Sequence, residues 1–348
     1  MKALRLVGPA DIRIEDVPMP QPGPCEVLVE IHAAGICGTD LEIAYGRHRW
    51  YQDGTADFPM TPGHEWSGYV REVGREVTHL KPGDLVSGET GIGCRNCELC
   101  LTGHHNICAK VTETGILGRD GAMRQFHVQA ANFVHKHGDI DPDAAALAEP
   151  TAVAVYSCKQ GAITPHDRVA ILGAGSIGLL TVQAARAFGA RFVMATSRSA
   201  PKLDLARKLG ADVAVNARDE DVLERAMEVT DGHGFDVVIE ASGAMSALEQ
   251  SLDIAAYAGR VMMVGSYNTH PDGTLMQMIN KEITMVGLRG SPHVYPETLD
   301  LMARGIIDTR PVISHTFRLD QYAEAFDVAE RGGPNVLKVL LKPGASSQ

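Results

Sequence analysis

A chain of 348 residues is longer than one hydrophobic core usually supports, and 45% hydrophobic with 22% charged residues is an ordinary globular composition, so two domains are expected. The formal charge of −11 disfavours nucleic acid as a partner, because a polyanion is recognised by clustered Lys and Arg, and it points to a small-molecule substrate instead. No apolar run reaches the roughly eighteen residues of a membrane span, and Met1 leads straight into strand-like residues 2–7, so the expectation is a soluble, cytoplasmic protein with no membrane partner.

The first half reads as short alternating strands broken by Gly and Pro, such as residues 27–31 and the turn Lys81-Pro82-Gly83-Asp84 ahead of Leu85-Val86. Three separate elements carry chemistry-bearing residues: Cys37 in Gly35-Ile36-Cys37-Gly38-Thr39-Asp40, His64-Glu65 in the stretch Gly63 to Gly68, and Glu149 ahead of Pro150. Singly, each has a bland reading as core filler, structural histidine or turn residue. Cys94, Cys97, Cys100 and Cys108 are different. Their spacing C-x2-C-x2-C-x7-C lets four thiolates converge on one tetrahedral ion, and an odd total of seven cysteines fits a disulfide framework poorly. Four thiolates leave no open coordination position, so zinc held there is structural.

From about Thr151 the rhythm changes to β-α-β. Strand-like segments at 168–172, 191–196, 212–215, 236–239, 260–264 and 283–286 alternate with helical stretches near 177–188, 203–209 and 247–256, which predicts six parallel strands in a doubly wound α/β sheet. Gly173-Ala174-Gly175-Ser176-Ile177-Gly178 is a G-x-G-x-x-G between the first strand and the first helix, the context of a dinucleotide-binding turn. Its glycines permit a tight turn, and the helix N-terminus offers N–H groups to a pyrophosphate. After Gly290 come helices near 296–304 and 321–331 and a strand at 336–341, a tail expected to return to the first domain.

Gly63, Gly68 and Gly74, with Arg75-Glu76-Val77 behind them, match the signature of the zinc-dependent medium-chain dehydrogenases, and the other motifs follow in family order. The chain resembles that alcohol dehydrogenase family throughout, and its Cys-Gly-Thr-Asp and Glu-Pro elements are most similar to those of polyol, sorbitol and threonine dehydrogenases. The resemblance implies a GroES-like β-rich catalytic domain over residues 1–152, a Rossmann domain over 153–289, and a C-terminal return over 290–348. It implies two zinc ions per chain: a structural ion on the four cysteines, and a catalytic ion on Cys37, His64 and either Glu65 or Glu149. Thr39 then resembles the hydroxyl that relays the alcohol proton, and Asp40 a carboxylate that orients the histidine ligand. Three residues beyond Thr39 the classical enzymes carry a histidine; here stands Glu42, so that Glu42, His48 or water completes the route.

Cofactor choice is read at the end of the second strand of the dinucleotide fold, where an acid would bond the ribose 2′-hydroxyl of NAD. From Leu179 to Leu203 there is no Asp or Glu, and Ser197, Arg198 and Lys202 stand instead, which favours NADP; the alternative is that Arg198 stacks on adenine or faces solvent and NAD is accepted too. By resemblance Gly265, Ser266, Leu288 and Arg289 contact the cofactor, and Lys338 lies against its pyrophosphate. The expected reaction is hydride transfer between a secondary alcohol of polyol, sugar or cyclitol type and NADP or NAD. Small aliphatic alcohols and 3-hydroxy amino acids are the alternative substrates, and a zinc-ribbon binding or regulatory protein is the non-enzyme alternative. The resemblance also implies a homotetramer or homodimer joined at the edge strand of the cofactor domain.

Overall fold

The strand Glu26–Ile36, eleven residues with most side chains buried, is the spine of the first of two folding units. In the computed structural model, which describes residues 1–267 and 275–344, that unit comprises Met1–Glu149, Gly290–Arg304 and Thr309–Gln348; the second comprises Pro150–Arg289 and Gly305–Asp308. Glu26–Ile36 is central in a seven-stranded sheet, ordered Val134–Lys136, Leu85–Gly88, Glu65–Val73, Glu26–Ile36, Lys338–Lys342 and Ile313–Arg318, with Phe126–Ala130 also pairing to the spine. Trp66, Leu4, Leu6, Ile31 and Met123 fill the core beside it. The C-terminal tail returns to this sheet through Lys338–Lys342, antiparallel to the spine.

The four-cysteine lobe is fastened to the sheet by one carboxylate. Glu89 follows the strand Leu85–Gly88 and is 7% exposed; it accepts hydrogen bonds from His105 Nε2 at 2.8 Å and His135 Nε2 at 2.9 Å. His105 belongs to the lobe, in the short 3-10 turn His105–Ile107, and His135 to the neighbouring strand.

The second unit is a six-stranded, all-parallel sheet ordered Val213–Asn216, Phe192–Ser197, Arg168–Leu172, Phe235–Glu240, Ala255–Met263 and Thr284–Gly287. The chain runs outward in one direction from Arg168–Leu172, then in the other, which opens a crevice at the carboxyl end of that strand. Among the described residues no helix is long and apolar enough to cross a membrane.

Burial alone would raise the pKa of Glu89; the hydrogen bonds from His105 and His135 overcome it and hold the carboxyl below its ordinary value of 4.5. A group with a depressed folded pKa stabilises the fold above its unfolded value and loses that contribution as the pH falls through the folded one. Glu89→Gln is therefore expected to cost about 1–3 kcal/mol near neutral pH. In thermal unfolding followed from pH 7 downward, the gap between wild type and variant closes below pH 4.5.

Candidate active site

Sheet register brings the scattered residues together. Gly35 pairs with Glu65, and Ile36 with Val339. Cys37, which follows the spine, Glu65, which opens the next strand, and Lys338, which opens the third, therefore meet at one end of the sheet, with His64 immediately before Glu65. Gly35 is needed there, because a Cβ would collide with Glu65 Oε2. One donor atom from each of Cys37, His64 and Glu65 lies within 4.8 Å of the others.

Cys37 caps the helix Gly38–Ala44, and Asp40 in its first turn is fully buried. Asp40 Oδ2 accepts from the Cys37 N–H at 2.8 Å and Oδ1 from the Gly63 N–H at 3.0 Å, so one carboxylate ties down the backbone beside both donors. The family resemblance casts Asp40 as a partner of the histidine ring. The 3.7 Å from Asp40 Oδ1 to His64 Nδ1 is too long for a hydrogen bond, so Asp40 acts through the backbone and through its charge. Burial opposes a charged His64, but Asp40 and Cys37 outweigh it and raise the imidazole well above its ordinary range.

Glu65 Oε1 accepts from Lys338 Nζ at 2.6 Å, and the same ammonium donates to the Ile36 carbonyl at 3.3 Å. Pairing to the spine buries Lys338 to 5% exposure, and its charge is spent on Glu65. Burial disfavours the ammonium, yet Glu65 and then Cys37 raise its pKa above the ordinary lysine value.

Glu149 sits in the first turn of the helix Ala148–Gln160, and its Oε1 accepts from Thr90 Oγ1 at 3.2 Å. Burial, reinforced by Glu65 and opposed by His64 and Lys338, pushes its carboxyl up to about 7. It is near the other carboxylate but is not one of the three residues whose donor atoms converge. Sequence reasoning missed the bonds Lys338–Glu65 and Thr90–Glu149, which span 273 and 59 residues and leave no spacing signal.

Glu65 Oε2 and His64 Nδ1 are buried without a hydrogen-bond partner among the described residues. Such orphaned atoms cost about 1–3 kcal/mol each, and thiolate, imidazole and carboxylate are the donors zinc prefers, so this centre fits zinc. The lobe fits it as well. Cys94 and Cys100 Sγ lie 3.9 Å apart and Cys97 and Cys108 Sγ 3.7 Å, against about 3.8 Å for the edge of a tetrahedron with zinc–sulfur bonds of about 2.3 Å. The backbone N–H of Asn96 leads the contacts that hold the Cys94 thiol down to about 6.

In the second unit the residues assigned to the cofactor all stand at the carboxyl rim of the parallel sheet. Gly173 has φ +105°, and its N–H and that of Ala174 donate to the Thr196 carbonyl. Gly175 caps the helix Ser176–Ala187, and a Cβ at Gly178 would strike the Gly173 carbonyl. Ser176 and Ile177 form its first turn. Ser197 ends its strand, Arg198 is exposed, and Lys202 is half-buried in the helix Ala200–Lys208. Gly265 and Ser266 follow the strand Ala255–Met263; Leu288, whose N–H donates to the Met263 carbonyl, and Arg289 follow Thr284–Gly287. A further rim residue that sequence reasoning missed is Glu240, fully buried, which accepts from the Ser242 and Gly243 N–H groups and from Ser242 Oγ and Tyr267 OH, lacing two rim loops together.

Removing one partner of a buried ion pair costs about 3–5 kcal/mol, since it strands the other charge. Lys338→Met is expected to lose that much in chemical denaturation of the zinc-loaded protein. The Lys338→Met/Glu65→Gln double variant should recover part of the loss, and a single-variant effect below about 1 kcal/mol would remove the pair from its central place.

Two family models match the chain: "Alcohol dehydrogenase GroES-like domain" over residues 23–139 and "Zinc-binding dehydrogenase" over residues 176–304. The sorbitol dehydrogenase of Macaca fascicularis is 33% identical over 100% of this chain and 98% of its own length. The L-threonine 3-dehydrogenase of Bacillus velezensis is 36% identical over 95% of each. Among solved structures, a zinc-binding dehydrogenase from Sinorhizobium meliloti 1021 bound to NADP superposes with a TM-score of 0.91 at 32% identity, covering 98% of this chain and 99% of the other. With both domain models in place and relatives of this identity spanning nearly its whole length, the chain belongs to the zinc-dependent medium-chain alcohol dehydrogenase family.

Proposed function

We propose that the chain transfers hydride between a secondary alcohol of polyol, sugar or cyclitol type and NADP, with NAD as the lesser cofactor. The convergence of half-buried Cys37 with buried His64 and Glu65 carries this reading. The sorbitol dehydrogenase relatives support the polyol class. Two zinc ions per chain are proposed, one on these three residues and one on Cys94, Cys97, Cys100 and Cys108. Among the described residues Thr284–Gly287 is an edge strand with one side unpaired, which supports a homodimer or homotetramer.

Zinc held by Cys37, His64 and Glu65 would supply electrostatic stabilisation of negative charge on the substrate oxygen, and a nicotinamide cofactor on the Gly173–Gly178 turn would supply the hydride acceptor. Thr39, half-buried with Oγ1 3.9 Å from Cys37 Sγ, takes up the alcohol proton. Glu42, three residues on and so on the same face of the helix Gly38–Ala44, serves as the next acceptor. His48 is the weaker candidate, because its Nδ1 accepts from the Trp50 N–H at 3.3 Å and burial lowers its basicity. Lys338 holds Glu65 by one oxygen and leaves the other free to bind.

NADP is favoured by what lies at the end of Phe192–Ser197. No acid occurs between Leu179 and Leu203, so nothing there repels a 2′-phosphate. The hydroxyl of Ser197 and the cations of Arg198 and Lys202 suit a dianion.

A panel of polyols, sugars, cyclitols, simple secondary alcohols and L-threonine, assayed with NADP and NAD before and after dialysis against a chelator, tests the reading. Chelator-sensitive, NADP-linked oxidation of a polyol-type substrate is expected; activity confined to aliphatic alcohols, or untouched by metal removal, would overturn it. Ser197→Asp should lower kcat/KM for NADP about a hundredfold, roughly 2.7 kcal/mol, while sparing NAD. Thr39→Val should reduce kcat by about 10²-fold or more with zinc content unchanged, and near-normal turnover would dismiss the relay.

A further inference from the structure

At the rim of the parallel sheet one carboxylate gathers two loops. Glu240 ends the strand Phe235–Glu240 and is fully buried. Its Oε1 accepts from the Ser242 N–H at 2.8 Å and from Ser242 Oγ; its Oε2 accepts from the Gly243 N–H at 3.2 Å and from the Tyr267 hydroxyl. The backbone carbonyl of Glu240 accepts from the N–H groups of Val264 and Gly265. Side chain and main chain of this residue are thus committed to the loops that leave Phe235–Glu240 and Ala255–Met263.

These loops fit together closely. A Cβ on Gly265 would lie 2.5 Å from the Gly243 Cα and 2.6 Å from Glu240 Oε2, and one on Gly173 would lie 2.7 Å from the Ser242 Cβ. The glycine-rich turn, residues 241–244 and residues 264–267 therefore pack in series. Ser197, Arg198 and Lys202, proposed to meet the 2′-phosphate, stand on the opposite side of that turn, at the end of Phe192–Ser197 and just beyond it. A dinucleotide whose pyrophosphate sits on the turn lays its nicotinamide half over the ends of Phe235–Glu240 and Ala255–Met263.

We propose that the bond from Tyr267 to Glu240 is a latch that pre-forms the nicotinamide side of this crevice, which makes Tyr267 a positioning residue for that half of the cofactor and not for its adenosine half. The inference rests on the proposed function, since it requires a nicotinamide dinucleotide in the crevice.

Local bonds from residues two and three positions away hold 242–243 to Glu240. Tyr267 differs: it lies 27 residues along the chain and brings a side-chain donor from the second loop. Burial, and then Glu240 itself, raise its phenol well above the ordinary value, so it stays a proton donor near neutral pH. Removing that hydroxyl alone leaves a buried carboxylate oxygen one donor short and takes away the anchor that Tyr267 gives residues 264–267. The glycine-rich turn and the Ser197 side keep their bonds. The cost of ordering the second loop then falls on binding, and only a ligand that reaches the loop meets it.

The test uses the zinc-loaded full chain as wild type, Tyr267→Phe, Glu240→Gln and the double variant. Fluorescence titration follows NADPH and NADH, and competition against them follows 2′,5′-ADP and 5′-AMP, which carry the adenosine half alone. Tyr267→Phe is expected to weaken the dinucleotides about tenfold, the weight of one hydrogen bond to a charged group, and to leave the adenosine-half ligands unchanged. The losses from Tyr267→Phe and Glu240→Gln should be less than additive when combined, since they remove the two ends of one bond. Equal dinucleotide affinity in wild type and Tyr267→Phe, an equal loss for the adenosine-half ligands, or additive losses would overturn the inference while leaving the function intact. A wild-type chain that binds neither dinucleotide would overturn the proposed function and the inference with it.

Discussion

Charge balance around a largely buried set of side chains governs the first unit. A thiol at Cys37 and two carboxylates, Glu65 and Glu149, share the end of one sheet, and Lys338 is the ammonium that bonds there. An unmatched charge is far more costly in a buried site than at the surface, and two neighbouring carboxylates are not both matched by that one ammonium. The charge of Asp40 is answered separately by two backbone N–H groups. A single divalent cation would meet the remainder in the space of one atom, where further lysines would each need volume and hydrogen bonds of their own. The buried lysine and the candidate metal ligands thus form one electrostatic unit.

Backbone geometry enforces that unit. The spine strand ends at Ile36, the chain turns into a helix at Gly38, and Asp40 reaches back across the turn to bond the Cys37 N–H. Its other oxygen fixes Gly63, whose φ of +99° and crowding against Met123 exclude a larger residue. Helix capping, a task met in any protein, here also sets the distance between two candidate metal ligands. That is why the motif residues around Cys37 and His64 include Asp40 and Gly63 as well as the donors.

Much of this could be read from the chain itself. Strict spacing located the four thiols, and six apolar runs alternating with helical stretches gave the parallel sheet. The helix Ala148–Gln160 was hidden because Glu149-Pro150 also suits a turn; proline is tolerated in a first helical turn, where its missing N–H is not needed. The helix Val222–Val229 carried a signal that went unread, for Asp221 caps it by accepting from the N–H groups of Leu223 and Glu224. What no local pattern could supply was the set of long-range bonds: Lys338 to Glu65, Thr90 to Glu149, and both histidines to Glu89.

The two sheets explain why the gaps fall where they do. In a parallel sheet every strand finishes on the same rim, so knowing the strands of the second unit is enough to place Gly173, Ser197, Gly265 and Leu288 side by side, whatever the register. In an antiparallel sheet the end of one strand neighbours the beginning of the next, and a shift of one residue turns a side chain to the opposite face. Lys338 opens its strand against the end of the spine, a neighbourhood fixed by the pairing of Ile36 with Val339. Register sets that lysine against Glu65, a contact that position along the chain does not disclose.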